Sequence, residues 1–245
     1  MRLDKLLSDL GMGTRSEVKR YIRKGFAAVD GVKVSDPGFQ ADPDGQKIFY
    51  LGKEVCYQKY AYYMLYKPCG CVTARSDGIH KTVMDYIREE RKGLSPAGRL
   101  DLDTEGLLLI TNDGHLSHEL LSPAKHVKKV YEARLDGPVT DLDVKAFREG
   151  VEIGDDTPAK PAELSVSEED ASFVRVTVTE GRYHQVKRMF AAVGKQVLFL
   201  KRIQMGSLAL DPSLLPGEYR SLTQREIDEL KKIEPKRKMR YNTEI

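Results

Sequence analysis

The chain has 245 residues, 31% of them charged and 40% hydrophobic, with 40 Lys and Arg against 37 Asp and Glu for a formal net charge of +3. That is enough for one large domain or for a small one beside a medium one, with an apolar core. It excludes a histone-like polycation, so any surface for nucleic acid has to come from local clustering of Lys and Arg. Cys56, Cys69 and Cys71 make no disulfide framework, and the single residue between Cys69 and Cys71 is not a zinc spacing. His115 and His118 have no further ligands near them in sequence. Reduced thiols and no metal site are therefore expected. The opening Met1-Arg2-Leu3-Asp4-Lys5 lacks an apolar signal segment, and the longest aliphatic run, 107–110, is too short to span a bilayer. A cytoplasmic protein without a membrane partner is expected.

Along the chain, Leu3, Leu6, Leu7 and Leu10 recur with the spacing of one helix face, closed by Gly11 and Gly13. Thr14 and Glu17 have the spacing of a capping box, and a second helix is predicted to run to about Lys24 with Gly25 as its cap. Val18, Tyr21 and Ile22 can face the first helix, leaving Arg15, Lys19, Arg20, Arg23 and Lys24 as a cationic set in which Glu17 is the only acid. The Asp30-Gly31 pair between β-forming residues 28–34 predicts a hairpin. Such a cationic row is either a solvated face or a surface for RNA phosphates that positions without reading sequence. This order of elements resembles the alpha-L domain shared with a small-subunit ribosomal protein, over residues 1–58, and that resemblance favours RNA binding. Residues 52–60 read as a short polar linker.

From residue 59 to 235 strands and helices alternate. Strands are predicted at 61–66, 94–100, 106–111, 130–135, 174–179, 197–200 and 207–210, and helices at 82–88, 115–121 and 183–193. Hairpin-like connections mixed with single helices indicate an antiparallel-rich α+β domain. The basic segment 231–240, broken by Pro235, reads as a tail unstructured on its own, with 236–245 outside the domain.

The most specific stretch is Gly98-Arg99-Leu100-Asp101-Leu102-Asp103-Thr104-Glu105-Gly106-Leu107-Leu108-Leu109-Ile110-Thr111-Asn112-Asp113-Gly114. Charged groups there stand directly against buried-looking aliphatics, either as a solvated turn or as a carboxylate made useful by its setting. The pattern resembles the catalytic signature of the RsuA-type ribosomal RNA pseudouridine synthases. A second segment, Glu180-Gly181-Arg182-Tyr183-His184-Gln185-Val186-Lys187-Arg188-Met189, also matches that family, and its wording resembles the small-subunit branch. The resemblance covers nearly the whole second domain. It implies a bent, mostly antiparallel mixed sheet with flanking helices and an active cleft across its middle.

By position in the family pattern, Asp101 is the catalytic carboxylate, acting as nucleophile or as base, and Asp103 is its rival. Asp103 is given a structural role, capping the turn at Thr104. Lys187 matches the basic residue that pairs with the aspartate and offsets the cost of its charge; the alternative is an exposed helix face for phosphate, a role that suits Arg188 better. Tyr131 matches the tyrosine that stacks on the target uracil. Arg99 matches the arginine that fills the space left by a flipped base, unless it forms a salt bridge to Asp103 or Glu105. Arg182 and Arg188 complete the expected RNA contacts.

The resemblance thus implies a monomeric, cofactor-free isomerase of 16S ribosomal RNA. Its alternatives are a synthase for 23S rRNA and a non-catalytic rRNA-binding assembly factor. A glycosidase would explain two acids but not the basic first domain, and acids two apart do not by themselves give the separation that chemistry needs.

Overall fold

In the computed structural model, which describes residues 1–43, 45–89 and 91–232, Leu3, Leu6 and Leu7 of helix α1 (Leu3–Asp9) are fully buried against Val18 and Ile22 of α2 (Arg15–Arg23). Helix α2 starts where the sequence predicts. The Thr14 side chain accepts from the Glu17 amide at 3.3 Å, and the Glu17 carboxylate accepts from the Thr14 amide at 2.9 Å. Strands β1 (Ala27–Val29) and β2 (Val32–Val34) form the predicted hairpin, with Asp30 and Gly31 both at positive φ, 50° and 80°, in the turn.

The linker expected at 52–60 is corrected. β3 (Ile48–Tyr50) and β4 (Lys53–Val55) form a second hairpin, closed by Leu51 and Gly52 at φ 51° and 78°. Leu at positive φ is rare enough that Leu-Gly carries no turn signal, so the strand was hidden. The antiparallel sheet has the order β2-β1-β3-β4. This first compact unit comprises Met1–Ala61 with Arg88–Leu94.

The second unit comprises Tyr62–Ile87 and the chain from Ser95 onward. Its strands are β5 (Tyr62–Lys67), β6 (Ser95–Ala97), β7 (Glu105–Thr111), β8 (Lys129–Leu135), β9 (Glu163–Val166), β10 (Phe173–Val178), β11 (Val197–Met205), β12 (Leu208–Ala209) and β13 (Tyr219–Ser221). Its helices are α3 (Gly114–Leu121), α4 (Asp141–Glu149), α5 (Gln185–Ala192) and α6 (Gln224–Lys231). The nine-stranded sheet runs β13-β5-β7-β11-β8-β10-β9, with β12 on β11 and β6 on β7. Every pairing is antiparallel except β7 with β11. The fold is thus α+β on a mixed, mostly antiparallel sheet.

Three local expectations change. The helix expected at 82–88 is one 3-10 turn, Val83–Tyr86, and the strand expected at 94–100 stops at Ala97 because Gly98 turns the chain at φ 84°. Helices α4 and α6, unexpected, both start with capping boxes, Thr140 with Asp143 and Thr223 with Glu226. Of the expected basic tail, the described residues reach 232; the remainder lies outside them.

The core under the sheet joins Leu100, Tyr131, Ala133, Val176 and Leu200 to Phe147 of α4 and to Val186, Met189 and Phe190 of α5. Gly106 is where β7 meets β11. It sits at φ +103° opposite Arg202, and a Cβ there would lie 2.2 Å from the Arg202 carbonyl oxygen. Gly106→Ala is therefore expected to destabilise the fold by about 2–4 kcal/mol. Thermal unfolding should register this as a fall in Tm of roughly 5–15 °C, and an unchanged Tm would contradict the close approach.

Candidate active site

Residues 98–104 cross from the end of β6 to the start of β7, and their backbone is braced from the segment that follows β5. The Thr73 hydroxyl donates to the Leu100 carbonyl at 2.7 Å and accepts from the Leu100 amide at 3.1 Å. The Leu102 carbonyl accepts from the Gly70 amide at 2.8 Å. Lys67, fully buried at the end of β5, donates to the carbonyls of Thr104 at 2.8 Å, Pro68 at 3.1 Å and Leu102 at 3.4 Å. Burial pushes its ammonium below the usual lysine range, against the opposing pull of Cys71, Cys69, Asp101 and Asp103. The loop carrying Asp101 is thus held by hydrogen bonds on both sides of that residue. Lys67 has no expected role from sequence, although a lysine closing a wholly buried strand needs carbonyl partners for its cation.

Asp101 meets the beginning of α5. Its two carboxylate oxygens lie 3.5 Å from His184 Nε2 and 3.4 Å from Lys187 Nζ. His184 caps the helix at φ 49°, and Lys187 follows three residues later on the same side. Val186, Met189 and Phe190 anchor the helix in the core. The first turn of α5 carries no acid of its own; Asp101 supplies one to the positive end of the helix from another part of the chain. His184 was given no role at the site from sequence. Its left-handed backbone, which histidine tolerates better than most residues other than glycine, bends the chain into the helix and turns the ring toward Asp101.

The expected pairing of Asp101 with Lys187 is present, but Lys187 is shared. Its ammonium also bonds the Asp103 carboxylate, and this contact holds the Asp103 carboxyl below the usual carboxylate range. The capping role expected of Asp103 is corrected accordingly. The Thr104 amide donates to the Asp101 carbonyl at 3.1 Å, while the Asp103 side chain reaches across to the helix.

Tyr131 lies on β8 in register with Val176 and Arg202, 9% exposed, in the core cluster that holds Leu100 and Val186. Arg99 is exposed and makes no ion pair with Asp103, Glu105 or any other described residue. The internal bridge considered for it is absent.

Arg182 and Arg188, expected as RNA contacts, are tied to residues 153–158. Arg182 bonds the carbonyls of Thr157 at 2.7 Å and Pro158 at 2.9 Å, with Asp155 at 3.4 Å and Glu180 at 3.3 Å. Arg188 bonds the Ile153 carbonyl at 2.9 Å through Nε, the Tyr183 carbonyl at 3.0 Å, and the Asp155 carboxylate. Asp155 is held below its usual range by the Arg188 guanidinium first and Arg182 second. Glu180 also accepts from Gln185 at 2.8 Å and from the Lys160 amide at 3.0 Å. This network fixes the loop that presents His184 and Lys187.

In the first unit the five expected cations divide. Arg15 and Lys19 pair with Asp4, the Arg20 guanidinium lies 5.3 Å from the Tyr21 ring centre, and Arg23 and Lys24 are exposed with no ion pair among the described residues. Among the described residues no group of three or more His, Cys, Asp and Glu side chains is placed to hold a metal ion, and no helix is long and apolar enough to cross a membrane.

Comparison with known proteins gives a consistent result. Residues 1–46 match the S4 domain. The chain is 45% identical over 231 residues to an uncharacterized RNA pseudouridine synthase of Bacillus subtilis, covering 93% of this chain and 97% of that protein. It is 42% identical over 230 residues to ribosomal small subunit pseudouridine synthase A of Escherichia coli, covering 93% and 98%. A crystal structure of a pseudouridylate synthase superposes with a TM-score of 0.67 at 39% identity, over 94% of this chain and 99% of that one. With residues 61–192 matching the RNA pseudouridylate synthase family and relatives aligned over nearly its whole length, the chain belongs to that family.

Proposed function

We propose that this protein isomerises a uridine of 16S ribosomal RNA to pseudouridine, with Asp101 as the catalytic carboxylate. The observation that carries this reading is Asp101 held at 3.5 Å from His184 and 3.4 Å from Lys187 on a braced loop. Relatives aligned end to end are named small-subunit pseudouridine synthases. The reaction breaks the bond between the sugar C1′ and uracil N1, turns the base, and joins C1′ to C5. The proton on C5 is lost and N1 regains one, so composition is unchanged and no redox partner is needed. A carboxylate beside C1′ serves as nucleophile or as base in that exchange. Lys187 offsets its charge, Tyr131 supplies a ring for the uracil, and Arg99, exposed and without an ion pair among the described residues, fills the stack left by the flipped nucleotide.

In this reading residues 1–58 grip RNA, 59–235 carry the chemistry, and 236–245 are a basic tail outside the described residues. The protein acts as a cytoplasmic monomer. Mapping pseudouridine in 16S and 23S rRNA from cells with and without the protein tests it. Loss of one 16S site is the expected result. Loss of a 23S site instead would move the enzyme to the large subunit, and no loss would leave an assembly factor.

The grip of the first domain has its own test. Arg23 and Lys24 are exposed and have no ion pair among the described residues, so Arg23→Gln with Lys24→Gln removes two phosphate contacts. The slope of log affinity against log salt should become shallower by up to about 1.5. Filter binding across a salt series measures it, and an unchanged slope would make this helix end a solvated face only.

A further inference from the structure

Asp4 is fully buried, and three cations from two elements converge on its carboxylate. Arg2, preceding α1, reaches it at 3.1 Å; Arg15, the first residue of α2, at 3.3 Å; Lys19, one turn further on, at 3.8 Å. The carboxyl stays charged down to about pH 2, chiefly through the Arg2 hydrogen bond, which outweighs the opposing effect of burial. The cations themselves are not buried: the Arg2, Arg15 and Lys19 side chains are 48%, 49% and 37% exposed. Each arginine spends Nε and Nη2 on Asp4, and neither Nη1 has an acceptor among the described residues. Asp36 also acts on Arg2, more weakly than Asp4 does, and three positive groups against these two carboxylates still leave a cationic cluster with donors open to solvent.

We propose that Arg2, Arg15 and Lys19 form one binding site for an RNA backbone phosphate, and that Asp4 is its positioning residue. The inference rests on the reading of the first domain as an RNA grip and adds to it a site that includes Arg2. Long cationic side chains lose rotamer freedom when they bind. Here that freedom is surrendered on folding, because a carboxylate shielded from water holds the three stems from below. The open guanidinium donors then suit the oxygens of a phosphate. A carboxylate placed only to staple α1 to α2 would need one partner from α2; this one gathers two, and Arg2 as well.

The proposal makes a prediction opposite in sign to that of net charge. Asp4→Asn makes the domain more positive by one unit, so if charge alone governed affinity, RNA binding would tighten. If Asp4 positions the cations, binding weakens, by about 5–10-fold in Kd at moderate salt. The measurement is filter binding of the full-length protein to transcribed 16S rRNA, with far-UV circular dichroism to confirm the fold. Arg15→Lys and, on α4 of the second unit, Arg148→Lys conserve charge at exposed positions and do not depend on the Asp4 variant folding. Arg15→Lys should weaken binding at least about threefold, because an ammonium cannot both pair with Asp4 and present a second fork of donors. Arg148→Lys, outside the RNA grip, should stay within about twofold of wild type. A folded Asp4→Asn protein that binds as tightly as wild type or tighter overturns the proposal, and so does an Arg15→Lys protein indistinguishable from Arg148→Lys. The Arg23 and Lys24 glutamine pair tests the RNA grip itself. If that pair loses affinity while Asp4→Asn does not, the grip stands and the role of Asp4 falls.

Discussion

Asp101→Asn is expected to lower conversion of uridine by at least about 10⁴-fold, the scale on which removing a nucleophile or proton-transferring group costs an enzyme. RNA affinity should stay within about threefold, since the grip comes from cations that do not touch Asp101. The substitution is close to isosteric, and the backbone on either side is held by Thr73, Gly70 and Lys67 without help from the carboxylate. Folding should therefore survive, and a loss of turnover reports chemistry. Release of tritium from C5-labelled uridine RNA measures it. Asp103→Asn is the matched control: Asp103 shares Lys187 but is 66% exposed against 27% for Asp101, so that variant keeps measurable turnover. An Asp101→Asn enzyme running near the wild-type rate would remove the carboxylate from the mechanism.

What the sequence made legible follows the range of the interactions. Local signals were read correctly: the Thr14–Glu17 capping box, the Asp30-Gly31 turn, and the apolar face of α5. All are set by residues within one or two turns of each other. The meeting of Asp101 with Lys187 is long-range, and spacing alone could not supply it; it came from the family pattern. Features that depend on tertiary geometry were not legible. The parallel pairing of β7 with β11, which brings Gly106 against Arg202, has no local signature. The partners of Arg182 and Arg188 are backbone carbonyls and a carboxylate in residues 153–158, a stretch without periodicity. The place of His184 beside Asp101 was not legible, because histidine favours positive φ too weakly to mark the turn from sequence alone. Lys67 looked like a strand end because its carbonyl partners lie beyond the next turn.

Lys187→Met is expected to lower turnover by about 10²-fold, with part of the loss recovered at higher pH. Met keeps most of the stem, so the packing of α5 on the core is retained, while the ammonium shared by Asp101 and Asp103 is lost. Two carboxylates then remain in one turn, with His184 at 3.5 Å as the nearby group able to carry positive charge. The direction with pH follows from Asp103. Lys187 holds its carboxyl below the usual range, so in the wild type the charged form persists as pH falls until that lowered value is reached. Without the ammonium this support is gone, and neighbouring like charges resist joint ionisation. A proton is therefore taken up at higher pH, and the acid limb of the pH–rate profile should move to higher pH. Lys187→Arg, which restores a cation at the same helix position, should bring the limb back and recover much of the rate, separating loss of charge from loss of fold. If Lys187→Met instead gave a profile superimposable on the wild type, the ammonium would be a bystander, and Asp101 would owe its setting to His184 and the braced loop.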